Sequence, residues 1–188
     1  MRVAIIYGSV RSHRKGIKAV RFVEKQLEAR KMTYTTIDPL EWDLPLLDKM
    51  YKEMDNPEEK FQKLHTILQE TDGYLIVTGE YNHGVPPALK NLIDHFQKEY
   101  FFKPSAIVSY SRGGFGGVRA AEQLRLICAE LGMPSISSSF AISRINDELN
   151  EDGTSVDGKY EKRVGKFLDE FQWYLEAFKN QIEKGTPY

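Results

Sequence analysis

The sequence has a single cysteine, Cys128, so no internal disulfide can form and a reducing compartment is the natural expectation. Neither sign of charge dominates: the formal net charge is -1, which argues against nucleic acid or a membrane surface as the main partner. No apolar run approaches the ~18 residues of a membrane span. Ahead of the apolar stretch Val3 to Tyr7 there is no basic segment, long apolar core or small-residue cleavage site of the kind a signal peptide carries. Together these absences lead to a cytoplasmic expectation. His13, His65, His83 and His95 do not fall at metal-ligand spacing. Neither GxxxxGK(S/T) nor the G-x-S-x-G nucleophile elbow occurs. The segment 148–159 is faintly like a calcium loop through Glu148, Asn150, Asp152 and Gly153. Lys159 stands where a bidentate carboxylate is needed, so a turn-rich connection is expected instead.

What is present is an alternation. Apolar residues at 41% and charged residues at 28% are enough for a real core, and 188 residues suit one domain, 1–188. Strand-like stretches are expected at 2–8, 33–38, 73–78, 105–110 and, more weakly, 136–142. Helices are expected at 15–31, 58–70, 86–98, 117–131 and 159–183, with a longer loop over 39–57. Strands that alternate with helices imply a parallel sheet covered on both faces, because each crossover must return the chain in the same direction. The apolar strands agree with burial on both sides. The expected fold is α/β, three-layered and flavodoxin-like, with a five-stranded parallel sheet in the order 2-1-3-4-5. In such a sheet a ligand sits beyond the carboxyl ends of the strands, which singles out three loops. The aromatic stripe Phe167, Phe171, Tyr174 and Phe178 reads as core or subunit contact.

The loop at 8–16, GSVRSHRKG, joins a strand to a helix. Gly8 allows a tight turn and Ser9 supplies a hydroxyl. Arg11, Arg14 and Lys15 put positive charge at a helix start, which the helix dipole disfavours unless an anion is held there. A bound phosphate supplies the reason; a solvated basic turn is the alternative. The loop at 79–87, GEYNHGVPP, ends an apolar strand in a run of polar groups. Glu80, Tyr81, Asn82 and His83 offer donors and acceptors, and Tyr81 and His83 could line a planar ring; a surface turn capping the next helix is the alternative. The loop at 111–117, SRGGFGG, lets the backbone approach a flat ligand closely. It fails as a dinucleotide fingerprint, because Arg119 stands where the third glycine is needed and no acidic residue closes a second strand about 20 residues on.

Taken together these loops resemble the NADPH-dependent FMN reductase family, which includes NAD(P)H-dependent azo, quinone and chromate reductases. The resemblance is carried most strongly by GEYNHGVPPALKNLIDHF at 79–96, similar to the family's E-Y-N turn and its proline-led helix with A-L-K-N-x-(I/L)-D. GSVR near the N-terminus, DLPLLD at 43–48 and GGFGGVRAAEQLR match in order and spacing, so the resemblance covers essentially the whole chain. It implies FMN as cofactor and NADPH or NADH as co-substrate. It implies that Ser9 and Arg11 hold the FMN phosphate, with Arg14, Lys15 and Gly16 contributing from the same loop. Glu80, Tyr81, Asn82 and His83 would line the isoalloxazine, and Ser111, Gly113 and Gly114 would border it from the far side. Gly79 stands where the family usually has proline, Pro87 replaces a common small residue, and Arg14 stands where many members carry serine.

The implied activity is ping-pong transfer of hydride from NAD(P)H through the flavin to a small-molecule acceptor, with no catalytic side chain and no metal. Two other readings stay open: a flavodoxin-type electron carrier, and a non-catalytic regulatory flavoprotein. Net charge -1 and the absence of a T-x-T-G-x-T loop argue against the carrier. The resemblance also implies a homodimer or homotetramer, for which the final helix and PPALKNLIDHF are the candidate contacts. The 39–57 loop, with Trp42, is expected to shape the acceptor pocket.

Overall fold

A computed structural model describes residues 1–188. Five strands form one parallel sheet: β1 (Arg2–Tyr7), β2 (Thr33–Ile37), β3 (Gly73–Thr78), β4 (Ser105–Tyr110) and β5 (Phe140–Ile142), in the order β2-β1-β3-β4-β5. Ile5 faces Thr36 on one side and Leu75 on the other, and Ile76 faces Ile107, which fixes the register of the central strands. Strands β3 and β4 are buried along their whole length, whereas edge strand β2 buries only Ile37. That difference follows from sequence: TYTTI has one face to hide, GYLIVT and SAIVSY have two.

Helices α1 (Ile17–Ala29), α2 (Pro39–Trp42), α3 (Glu59–Glu70), α4 (Pro87–Asp94), α5 (Val118–Glu130), α6 (Ile145–Glu148) and α7 (Lys159–Ile182) surround the sheet. Successive residues of a strand point to opposite faces. Val3, Ile5 and Tyr7 therefore join Phe22 of α1 and Phe171 of α7 in one core cluster, while Ala4 and Ile6 join Leu64 of α3, Leu92 of α4 and Leu124 of α5 in another. These are the two outer layers of a three-layer fold. No helix is long and apolar enough to cross a membrane.

The departures from expectation have local causes. The helix expected over 86–98 ends at Asp94. The His95 carbonyl accepts the Tyr51 N–H at 2.7 Å, and the buried Glu99 carboxylate accepts the Gln97 N–H at 2.9 Å, so the chain turns away. Strand β5 begins at Phe140 rather than at 136. Ser135 forms an isolated bridge to Ser105, after which the N–H groups of Ser137 and Ser138 donate to the Glu170 carboxylate of α7 instead of to a ladder. The 39–57 loop holds α2 and a 3-10 turn, Tyr51–Glu53. The 148–159 segment is a turn in which Glu151 pairs with Lys15 and Lys18, and Asp152 with Lys25. Of the aromatic stripe on α7, Phe167 and Phe171 are core, whereas Tyr174 and Phe178 are half-buried.

Candidate functional site

The loops after β1, β3 and β4 converge on an open cleft of about 300 Å³. The first loop contributes Ser9, Arg11, His13, Arg14 and Lys15 to it. Glu80 and Tyr81 come from the second, Tyr110 from the end of β4, and Ser111, Arg112 and Gly113 from the third. Ile145 of α6 completes the wall.

In the first loop the Gly8 N–H donates to the Val77 carbonyl at 3.0 Å, prolonging the β1–β3 ladder by one step before the chain leaves the sheet. The Ser9 hydroxyl lies 2.7 Å from the Tyr81 hydroxyl, linking the first and second loops. The Arg11 guanidinium stands 5.8 Å from the centroid of the Tyr81 ring. The N–H groups of Ser12, His13 and Lys15 donate to no protein acceptor, as expected where a helix is about to begin without a side-chain cap. Arg11, His13 and Arg112 make no ion pair, whereas Lys15 lies 3.4 Å from Glu151. Arg14 is different: its guanidinium is paired with Asp38 and also donates to the Ser9 carbonyl. Gly16 is buried behind the cleft, where a Cβ would overlap the Tyr110 ring, so packing requires a glycine there.

The second loop closes in two reciprocal hydrogen bonds between Tyr81 and Gly84, at 3.0 and 2.9 Å. Asn82 and His83 occupy its centre with φ of +50° and +67°, the pattern of a type I′ turn. Their side chains are exposed at the turn tip and do not line the cleft, contrary to expectation. Glu80 does line it, but its carboxylate is also used by α5. It accepts the Arg119 N–H at 3.0 Å and lies 3.3 Å from the Arg119 guanidinium, compensating the positive end of that helix. The Gln123 side chain donates to the His83 carbonyl at 3.2 Å, so α5 also holds the turn.

In the third loop the Ser111 hydroxyl accepts the Gly116 N–H and donates to the Gly113 carbonyl, each at 2.9 Å. Gly113 and Gly114 have open space around them, and Gly114 lies outside the cleft lining. The glycines that the backbone requires are the next pair: Gly116 and Gly117 have φ of +65° and +76°, and a Cβ on Gly117 would stand 2.7 Å from the Tyr110 carbonyl. Burial pushes the Tyr110 phenol well above its ordinary pKa, so it remains a hydrogen-bond donor.

Sequence reasoning missed His13, Tyr110, Arg112 and Ile145. His13 and Arg112 sit inside loops already singled out, and their charge type was the available signal. Tyr110 reads as the last residue of a buried strand, and Ile145 belongs to a helix of one turn. Beside the cleft, Val10, Leu40, Leu44, Leu46, Ala88 and Leu92 line an apolar groove of about 460 Å³. Trp42 is not part of it. It packs toward Glu59, Gln62 and Ile67 of α3, while Leu40, Leu44 and Leu46 are what the 39–57 loop brings to the groove.

An open parallel sheet in the order 2-1-3-4-5, with a cationic cleft at its switch point, defines an α/β cofactor-binding protein of the flavodoxin type. A cysteine-to-alanine mutant of a flavodoxin from Pseudomonas aeruginosa shares this fold at a TM-score of 0.59 and 18% identity, over 94% of this chain and 99% of that one. The flavoenzyme NAD(P)H:(acceptor) oxidoreductase FerB from Paracoccus denitrificans superposes at a TM-score of 0.80 with 26% identity, over 94% of this chain and 98% of that one. A family described as NADPH-dependent FMN reductase matches residues 1–147, and the chain belongs to that family. A quinone reductase of Pseudomonas putida is 30% identical over 93% of this chain and 94% of its own length. An NAD(P)H-dependent FMN reductase of Schizosaccharomyces pombe is 27% identical over 97% and 93%.

Proposed function

We propose that the chain binds FMN in the cleft and uses it to pass hydride from NADPH or NADH to a small acceptor such as a quinone or an azo compound. The observation that carries this is the cleft's donor set. Unpaired Arg11, the Ser9 hydroxyl and free N–H groups converge where α1 begins, and the one lining carboxylate, Glu80, is already held by α5. That chemistry fits a phosphate at one end. About 300 Å³ is at the small end of cofactor clefts, and this one is open to solvent.

The flavin, when bound, supplies reversible hydride transfer, so the protein's part is placement and electrostatics. Ser9 and Arg11 would hold the phosphate, with Lys15 adding charge beside them. Tyr81 would border the ring, Glu80 would keep the second loop in place through α5, and Ser111 and Gly113 would form the opposite wall. Arg14, Gly16, Asn82, His83 and Gly114 would act by shaping these loops rather than by side-chain contact. The apolar groove continues from the first loop at Val10 and would favour an apolar acceptor. The flavodoxin-type carrier is disfavoured by the family match, and a carrier would also leave NADPH unused.

The single-domain reading of 1–188 is supported by the packing of α7 into the same core cluster as β1. A homodimer or homotetramer is supported by apolar side chains left in water, with Leu46 at 86% and Trp173 at 65% exposure. A cytoplasmic location is supported by a lone free cysteine, Cys128, which suits a reducing compartment. The decisive experiment is an absorbance spectrum of the purified protein before and after anaerobic NADPH, with the released cofactor identified. Yellow protein that releases FMN and bleaches is expected. Protein that cannot be loaded with FMN would remove the assignment, and loaded protein that does not bleach would restore the carrier.

A further inference from the structure

Of the three basic residues expected to greet a phosphate, Arg14 is the one most fully engaged by the protein itself. Its two terminal nitrogens each meet one oxygen of Asp38 at 2.5 Å, and one of them also donates to the Ser9 carbonyl at 2.9 Å. The pair is largely out of water, with the Arg14 and Asp38 side chains 17% and 7% exposed. The Tyr7 ring lies 5.0 Å from the guanidinium. Asp38 is also the N-cap of α2, where its carboxylate accepts the Leu40 N–H at 3.0 Å. One carboxylate at the end of β2 thus ties the first loop of the cleft to the first turn of the groove wall.

A planar guanidinium facing a planar carboxylate in two parallel bonds fixes the orientation of both. The Ser9 carbonyl is thereby held toward Arg14, while the Ser9 hydroxyl stays on the Tyr81 side and lines the cleft. We propose that Asp38 is a positioning residue for the phosphate end of the site, presetting the Ser9 backbone through Arg14, and that Arg14 braces the loop rather than binding phosphate. This rests on the FMN reading above. Its consequence is that the loop is ordered before cofactor arrives, so less ordering is charged against binding.

The test is a double-mutant cycle on the full-length protein, reading FMN and riboflavin dissociation constants by flavin fluorescence, with a thermal melt of each variant to confirm folding. Asp38→Ala and Arg14→Ala are each expected to weaken FMN binding about tenfold, the scale of a charged hydrogen bond. The double variant is expected to lose no more than the worse single, and riboflavin, which lacks the phosphate, is expected to change far less. Should the alanine variants fail to fold, Asp38→Asn and Arg14→Lys take their place. Lysine keeps the charge but cannot form the fork, so it is expected not to restore binding. FMN binding that is unchanged or tighter in the Asp38 variants but lost in the Arg14 variants would place Arg14 on the phosphate and overturn the proposal. Additive losses would overturn it as well. A wild-type protein that takes up neither flavin would instead remove the underlying reading.

Discussion

Gly16 and Tyr110 are shaped to each other: the first helical turn of the β1–α1 loop lies so close to the last residue of β4 that any Cβ on Gly16 would overlap the tyrosine ring. Tyr110 is held on its other side by Gly79, where a Cβ would stand 3.1 Å from the ring. Two glycines from two loops thus seat one aromatic wall of the cleft. Gly16→Ala is expected to force a shift costing about 1–3 kcal/mol, the usual scale of overpacking. Thermal unfolding and flavin titration should fall together. In a Tyr110→Ala background the same substitution should cost much less, and an unchanged cost there would show that the contact is not its origin.

Arg11 is the first-loop guanidinium without an ion-pair partner. Arg11→Ala is expected to weaken FMN binding by at least tenfold while leaving riboflavin nearly unaffected, and the wild-type preference for FMN should shrink as salt rises. Equal losses for both flavins would take Arg11 off the phosphate.

The groove and the tryptophan make opposite predictions for two neighbours in one short helix. Leu40→Asn is expected to raise KM for apolar acceptors with little change for NADPH, because Leu40 lines the groove. Trp42→Ala is expected to lower the Tm and leave acceptor selectivity unchanged, because Trp42 packs on the core beside α3. Steady-state kinetics over a panel of quinones, with melting curves, separates the two.

Lys103 sets a pH dependence. Its ammonium donates to the carbonyls of Leu68 and Gln69 at the end of α3, both at 2.8 Å. Burial lowers it from 10.5 to about 8, against the pull of Glu99 and Asp72. Between those values the unfolded chain keeps a proton that the folded chain has released, so this group makes stability rise with pH across that window. Compared with Lys103→Met, the wild type should gain in Tm from about pH 8 to about pH 10. A constant difference would remove Lys103 as the cause.

The strands that position the site were legible because burial on both faces leaves an unbroken apolar signature, as at 73–78 and 105–110, where expected and observed bounds coincide. The start of strand β5 was not, because Glu170 on a helix about thirty residues later takes the N–H groups of Ser137 and Ser138 just ahead of the strand, and no local pattern announces that. The loops of the site were legible as loops, from their glycines and their place after apolar runs. The roles of individual residues were less so. Arg14 reads as another free cation of the first loop, and only the fold brings Asp38, twenty-four positions away in sequence, beside it. Asn82 and His83 read as two polar side chains in a loop, and only the fold shows that their positive φ puts them at a turn tip. Glycines 113 and 114 draw the eye, yet Gly116 and Gly117 are the pair whose backbone and neighbours forbid a side chain.

The last helix carries a consequence for how the protein is made. Val164, Phe167, Phe171 and Leu175 of α7 lie in one cluster with Val3, Ile5 and Leu75. Those early residues reach the ribosome exit first and their cover reaches it last. Translation at about 5–20 residues per second leaves several seconds in which the sheet can pair while one of its faces is incompletely sealed. The cleft needs only the loops through Gly117 and the one-turn helix at Ile145, so its parts emerge before the chain can close its own core. The nascent protein is therefore exposed to aggregation or chaperone capture in the interval between assembling its binding edge and burying its hydrophobic back.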